Sequence, residues 1–335
     1  MKIPKIIAEI GVNHNGSVDL AIESIYAAKK AGADAVKFQY FNANKLASKK
    51  TPKAEYQKRS IASNITHNEM LKSLELSEND FEKIYNYTKS HNIEFICTPY
   101  GIEEAKFLKL IGVNTFKIAS LDLCDYFLHS WMSKNADNVI IATGAANLED
   151  IQRCLSLYKN SSVKLTLLHC VSNYPCSDIS INLRVLNLLK REFGLMIGFS
   201  DHSVDSCAAQ LSCVFEIDII ERHFTLSKFL SGPDHQASDT PLEFMNYVHD
   251  VKRAVKILGK ENKNIQDEER SIINSSRKSL VWDVSAAANT TVQLSNFTAM
   301  RPGTGISPML VTDLIGRKLS KSVKSGEMVE YENFL

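Results

Sequence analysis

Eight short apolar runs, many of them rich in β-branched residues, recur along the first two thirds of the chain. They are "KIIAEIGV" (5–12), "AVKFQY" (35–40), "EFICTPY" (94–100), "TFKIAS" (115–120), "NVIIATG" (138–144), "LTLLHCV" (165–171), "LMIGFSDH" (195–202) and "DIIERHF" (218–224). Runs of this length read as strands, and the stretches between them carry helical spacing. Val18, Ile22, Ile25 and Ala28 fall on one helical face. Ser77 and Asp80 predict a capping box, as do Thr240 and Glu243, with Pro241 at the first helical position and Phe244, Val248, Val251, Val255 and Leu258 as the stripe behind it. A helix between successive strands returns the chain to its starting edge, so the strands must be parallel. Eight such units predict an α/β fold, a TIM (β/α)8 barrel.

One interval breaks the alternation. Residues 41–76 are basic, Asn-rich and long for a connection, and their place after a strand's C-terminal end favours a functional loop. Past Gly259 the chain turns polar and aperiodic, then changes to short β-like pieces around "RPGTGISP". The expected organisation is a barrel over 1–262, a linker over 263–278 and a small β-rich domain over 279–335. Within the last, residues 285–297 align without gaps to 322–334, pairing Val292 with Val329 and the two Asn-Phe endings. That repeat predicts approximate two-fold internal symmetry.

With 39 Lys plus Arg against 38 Asp plus Glu, net charge is +1, so no global field recruits nucleic acid or an anionic membrane. Any anion must be bound locally. Seven cysteines show no C-x-x-C pair, which argues against a disulfide framework and for a reducing, cytoplasmic setting. Neither a signal peptide nor a membrane span is expected, because Glu9 interrupts the first apolar run and no later run is long enough.

The polar residues at the strand ends carry the chemistry. A barrel gathers them on one rim, where its active sites lie. His202 and His223 end the seventh and eighth strands, and read either as hydrogen-bonded structural histidines or as two ligands of one ion, an open Lewis-acid site. His169 is read as structural. Lys37 and Lys117, with Gln39, Thr98, Ser120 and Ser200 nearby, either reach solvent or build a pocket for a small multiply charged anion such as a phosphorylated carboxylate. Glu9 ends the first strand. In "SGPDHQASDTP", Asp234 and His235 read as a turn or as substrate contacts, and Arg301 in "RPGTG" as an exposed turn residue.

The stretches "AEIGVNHNGS", "GADAVKFQ", "PKAEYQ", "FKIAS", "LLHCVSNYP", "GFSDHS", "ERHFTL", "SGPDH" and "RPGTGISP" resemble the sialic acid synthase family, which includes the legionaminic acid synthases. The C-terminal segment is similar to that family's antifreeze-like (SAF) domain. The resemblance implies condensation of phosphoenolpyruvate with an N-acetylated hexosamine, N-acetylmannosamine or 2,4-diacetamido-2,4,6-trideoxymannose, to a 2-keto sugar acid. It implies that His202 and His223 hold a divalent cation, manganese above magnesium or cobalt, and that Lys37, Lys117, Thr98, Ser120 and Ser200 bind phosphoenolpyruvate beside Gln39. Glu9 is implied to steer water; Asp122, Ser172, Tyr174 and Asp234 to face the sugar. Arg301 is implied to reach a partner subunit's site, in a homodimer with swapped antifreeze-like domains. Departures cluster on the sugar side, with Asp122 where relatives carry Glu, Ala142 where they carry a hydroxyl, and Ser172 where Asn is common. The rivals are a non-catalytic carbohydrate-binding scaffold and an aldolase or epimerase on the same barrel.

Overall fold

A computed structural model of the chain describes residues 2–47 and 65–335. The "PKAEYQ" stretch and the centre of the long basic interval lie outside the described residues. Two compact units divide after Lys260. The segment expected as a linker groups with the second unit, where it forms the turn Asp267–Glu269 and the helix Arg270–Ser276.

The first unit is a closed, all-parallel barrel in chain order: β1 Lys5–Gly11, β2 Ala35–Tyr40, β3 Glu94–Pro99, β4 Thr115–Ile118, β5 Asn138–Ala142, β6 Lys164–His169, β7 Met196–Asp201 and β8 Ile219–His223. β8 pairs back onto β1. Both expected capping boxes form, at Ser77 with Asp80 and at Thr240 with Glu243. Helix Val18–Lys30 turns a slightly different face inward from the one its spacing predicts. Ala21, Ser24, Ile25 and Ala28 are buried while Val18 and Ile22 are half-buried. Ser24 is tolerated there because its Oγ donates to Leu20 O at 2.7 Å within the same helix.

Side chains alternate across each strand, and this positions the site. Ile7, Ala35, Ile96, Ile140, Leu168 and Ile219 point into the barrel and form a small apolar cluster of their own. Two residues further along the same strands come Glu9, Lys37, Thr98, Ala142 and Glu221, so the apolar layer is the support on which the polar one stands. Gly198 belongs to this packing: a Cβ there would come within 2.5 Å of Ile219 O and Leu168 Cδ2.

In the second unit β9 Ser279–Trp282 pairs antiparallel with β10 Phe297–Met300 over a core including Trp282, Val292, Leu319, Val329 and Phe334. Its backbone hydrogen bonds come in equivalent sets. Trp282 N–H donates to Glu327 O at 2.9 Å and Leu319 N–H to Thr290 O at 3.0 Å; Gly326 donates to Trp282 O and Asn289 to Leu319 O, both at 2.8 Å. Ala286 and Val323, aligned residues of the two repeats, pair with each other in both directions. The two halves are therefore related by an approximate two-fold operation, as the aligned segments predict.

Replacing Gly198 by alanine drives a methyl group into backbone and a packed leucine. The expected cost is about 1–3 kcal/mol of folding stability, read as a lowered denaturation midpoint.

Candidate functional site

A cavity of about 750 Å³ opens at the C-terminal ends of the barrel strands. Its floor holds four buried charges. Lys37 Nζ lies 2.8 Å from Glu9 and 3.7 Å from Glu221, while Lys117 Nζ lies 3.2 Å from Glu221. Burial opposes every one of these charges, and neighbours decide the outcome. For Glu221, burial raises the pKa but Lys117 and Lys37 overcome it and hold the carboxyl at about 2. For Glu9, burial outweighs Lys37, and the nearby Glu221 adds to it, so the pKa is raised. Lys37 rises because its two carboxylates outweigh burial, whereas burial wins at Lys117, which is lowered.

Local structure fixes these groups. β1 is irregular between Glu9 and Gly11, and Gly11 takes φ of 56°. A Cβ at Gly11 would meet Glu9 Oε1 at 3.0 Å and Gln39 Nε2 at 3.1 Å, so glycine leaves room for the 2.9 Å hydrogen bond that Gln39 Nε2 donates to Glu9 Oε1. Lys37 Nζ sits 3.4 Å from Thr98 Oγ1, and Ser200 Oγ donates to Glu221 Oε1 at 3.0 Å. Ser120 Oγ accepts from Gly144 N–H at 3.2 Å, and a Cβ at Gly144 would come within 2.8 Å of that hydroxyl.

Beside the charged floor stand His202 and His223, ring centroids 5.6 Å apart, with Tyr174 packed 4.1 Å and 5.3 Å from them. Burial pushes both imidazoles down to about 3, assisted by His223 for the first and by Lys37 for the second. Both are thus neutral, the form that ligates metal. His202 Nδ1 donates to Val171 O at 2.7 Å, the orienting bond of a ligating histidine, which leaves Nε2 with its lone pair. His223 Nδ1 is buried without a hydrogen bond among the described residues. The pair fits a divalent cation. Among the described residues no third His, Cys, Asp or Glu completes a cluster, so remaining positions would fall to water and substrate oxygens.

Asp122, Ser172, Tyr174 and Asp234 line the same cavity. Burial raises Asp122 to about 6, assisted by Asp125, and Asp234 to about 7, assisted by Glu9. Asp122 Oδ2 has no hydrogen bond among the described residues. His235 is no substrate contact. It is fully buried, with Nδ1 2.7 Å from Thr225 Oγ1 and Nε2 3.1 Å from Asn15 Oδ1, and so holds the loop that carries Asp234. His169 is structural as expected, bonded to Ile181 O at 2.6 Å. Arg301 belongs to the second unit and is exposed there.

Two features were under-read from the sequence. Glu221, shared by both lysines, is central; the strand-end pattern places it on the rim with His223 but assigns it no role. The other is an apolar wall, Val12, Phe41, Leu46, Met70, Leu71 and Leu74, supplied by loops after β1 and β2 and by helix His67–Leu74. Met70, Leu71 and Leu74 follow helical spacing, but nothing in that spacing says that the face they form lines the cavity.

A barrel rim that sets a buried Lys–Glu quartet beside two neutral imidazoles defines an enzyme site for an anionic substrate and a polarised oxygen. The chain belongs to the NeuB family, matched over residues 24–263. It is 39% identical to an N,N'-diacetyllegionaminic acid synthase of Legionella pneumophila and 35% to one of Campylobacter jejuni; each alignment covers 98% of this chain, with 94% and 99% of the relative. Among solved structures it is similar to an N-acetylneuraminic acid synthetase of Leptospira borgpetersenii, at TM-score 0.70 and 32% identity, covering 81% of this chain and 90% of that one.

Glu221→Gln is expected to destabilise the fold by about 3 kcal/mol, because it leaves both lysines short of a buried counter-charge. Glu9→Gln should cost clearly less, since burial already pushes Glu9 toward its neutral form; equilibrium unfolding of both variants checks the order.

Proposed function

We propose that this nonulosonic acid synthase, a transferase, joins phosphoenolpyruvate to 2,4-diacetamido-2,4,6-trideoxymannose and releases a legionaminate and inorganic phosphate. The apolar wall carries the choice of sugar. It faces substrate with methyl and methylene groups, a poor match for the 6-hydroxyl of N-acetylmannosamine and a good one for a 6-deoxy carbon. The two legionaminic relatives support the same reading.

Phosphoenolpyruvate seats on the floor, where Lys37 and Lys117 exchange contacts with their carboxylates for contacts with phosphate and carboxylate oxygens. Thr98, Ser120 and Ser200 hydroxyls donate the remaining hydrogen bonds. Such fixed donors, away from bulk water, need no reorganisation as charge moves. C3 of phosphoenolpyruvate attacks the aldehyde carbon of the open-chain sugar and leaves positive charge at C2. Water adds at C2, and Glu9, held by Gln39, takes its proton and passes it to the alkoxide left on the former aldehyde oxygen; the raised pKa of Glu9 suits a group that must gain and release one. The tetrahedral intermediate expels phosphate and becomes the 2-keto acid. A divalent cation held by His202 and His223, manganese before magnesium or cobalt, would supply Lewis-acid polarisation of the aldehyde oxygen. Asp122, Ser172, Tyr174 and Asp234 orient the sugar, and Asp122, one methylene shorter than Glu, leaves space beside the extra acetamido group.

Arg301 acts from the second unit, an antifreeze-like domain, on the partner's site in a homodimer. The protein works in the cytoplasm, where phosphoenolpyruvate is made; among the described residues no helix is long and apolar enough to cross a membrane.

Phosphate release with manganese and phosphoenolpyruvate should depend on sugar, with kcat/KM about 10–100-fold higher for the diacetamido sugar than for N-acetylmannosamine. A preference for N-acetylmannosamine overturns the sugar assignment, and release without any sugar, or none with either, overturns the synthase reading. Asp122→Glu should narrow the preference while leaving phosphoenolpyruvate KM unchanged. A chain ending at Lys260 should remain folded and lose turnover; full activity of that chain would remove Arg301 from the site.

A further inference from the structure

Two charged residues sit on the outer side of the barrel at the ends of β7 and β8, where their neighbours Phe199, Ile220 and Phe224 are fully buried and apolar. Asp201 and Arg222 are register partners, each one residue before a cavity histidine. Arg222 donates from Nε and Nη2 to the two oxygens of Asp239, both at 2.9 Å, and from Nη1 and Nη2 to Ser203 O at 2.6 Å and Val204 O at 3.2 Å. Its Nη1 lies 3.6 Å from Asp201, and its guanidinium lies over the Tyr247 ring at 5.2 Å. Tyr247 OH donates to Asp201 Oδ2 at 2.8 Å. The Asp239 N–H in turn donates to the carbonyl of His223 at 2.9 Å.

A buried ion network of this kind is an expensive way to fill space, since well-packed apolar residues of similar volume are often as stable. What it supplies is geometry. The planar fork of Arg222 ties the end of β7, the following loop, Asp239 and the helix Pro241–Leu258 to one point. We propose that Arg222 is a positioning residue: the Asp201–Arg222–Asp239 strap sets the spacing of His202 and His223 and thereby their joint affinity for a divalent cation. This rests on the reading of those histidines as a cation site.

The test titrates manganese into full-length protein, without substrates, and follows the free-ion electron paramagnetic resonance signal. Arg222→Lys keeps the charge and loses the fork; manganese affinity should fall by at least about tenfold, the usual lower bound for losing a supporting group behind a ligand. Asp239→Asn, which keeps the backbone bond to His223, should weaken binding in the same direction and stands in if Arg222→Lys fails to fold. Val251→Ala thins the core of the helix that carries Tyr247 without touching the strap; it should lower the melting temperature and leave manganese affinity at the wild-type value. Unchanged affinity in Arg222→Lys and Asp239→Asn overturns the proposal, as does a loss in Val251→Ala equal to theirs, because affinity would then only follow stability. A wild-type chain that binds no manganese overturns the cation reading and this one with it, a result distinct from tight binding by every variant.

Discussion

The carboxylate of Glu221, held between two lysines inside a barrel, is the interaction on which the site depends. Lys117 and Lys37 both lean on it, and burial disfavours the charged form of each. Without that shared partner the floor would be two buried ammonium groups facing each other with Glu9 as their sole compensation. With it, the four charges settle unequally. Glu221 is held down and stays an anion; Glu9, with one lysine and a carboxylate neighbour, is pushed up. Two carboxylates in one layer thus acquire different tasks through surroundings alone, one as fixed counter-charge and the other as a group able to exchange a proton.

Such a floor needs a rigid support, because Coulomb terms inside a protein are large only while the geometry holds. The apolar cluster of Ile7, Ala35, Ile96, Ile140, Leu168 and Ile219 supplies it by sitting one inward position below the polar layer. Gly198 completes that support by letting β7 approach Leu168 and Ile219 closely. The second unit uses another economy: one short segment is used twice, and equivalent backbone bonds close both copies on a shared core. Asn289 and Gly326, aligned in the repeat, both adopt positive φ, so each copy turns at the same place with a residue suited to it.

Much of this was legible in the residues, for physical reasons. β-branched runs mark strands, and the period of two places Lys37, Gln39, Thr98, Glu9 and His223 on inward faces without further information. Thirteen cavity-lining residues were therefore found from strand ends and from the family motifs at the loops that follow them. What was illegible lacks a period or a distinctive neighbour. Val12 and Phe41 in the apolar wall come from connections whose side-chain directions no spacing encodes, and the spacing of helix His67–Leu74 does not say that its Met70 faces the cavity. His235 reads as a turn residue or as a rim contact, because a sequence shows a polar residue in a turn but not that Thr225 and Asn15 enclose it. Helix Val18–Lys30 turned Ala21 and Ser24 inward because a serine can satisfy its hydroxyl within the helix, which a hydrophobic count ignores.

"SDH" at the end of β7 and "ERH" at the end of β8 are the same arrangement written twice. Alternation sends the first and third residues inward and the second outward, so Ser200 and Glu221 meet on the floor, Asp201 and Arg222 meet outside, and the imidazoles follow inward. Three environments are served by three consecutive residues on each strand. A slip of one residue in either strand would exchange all of them at once, placing an outward ion in the cavity and an imidazole against the helical shell. The register of β7 on β8 is therefore fixed by the Ser200–Glu221 hydrogen bond on the inner face and the Asp201–Arg222 ion pair on the outer one, as well as by the backbone ladder. That is the physical reason a chain places a charge immediately before each histidine, where a core alone would ask for valine or isoleucine.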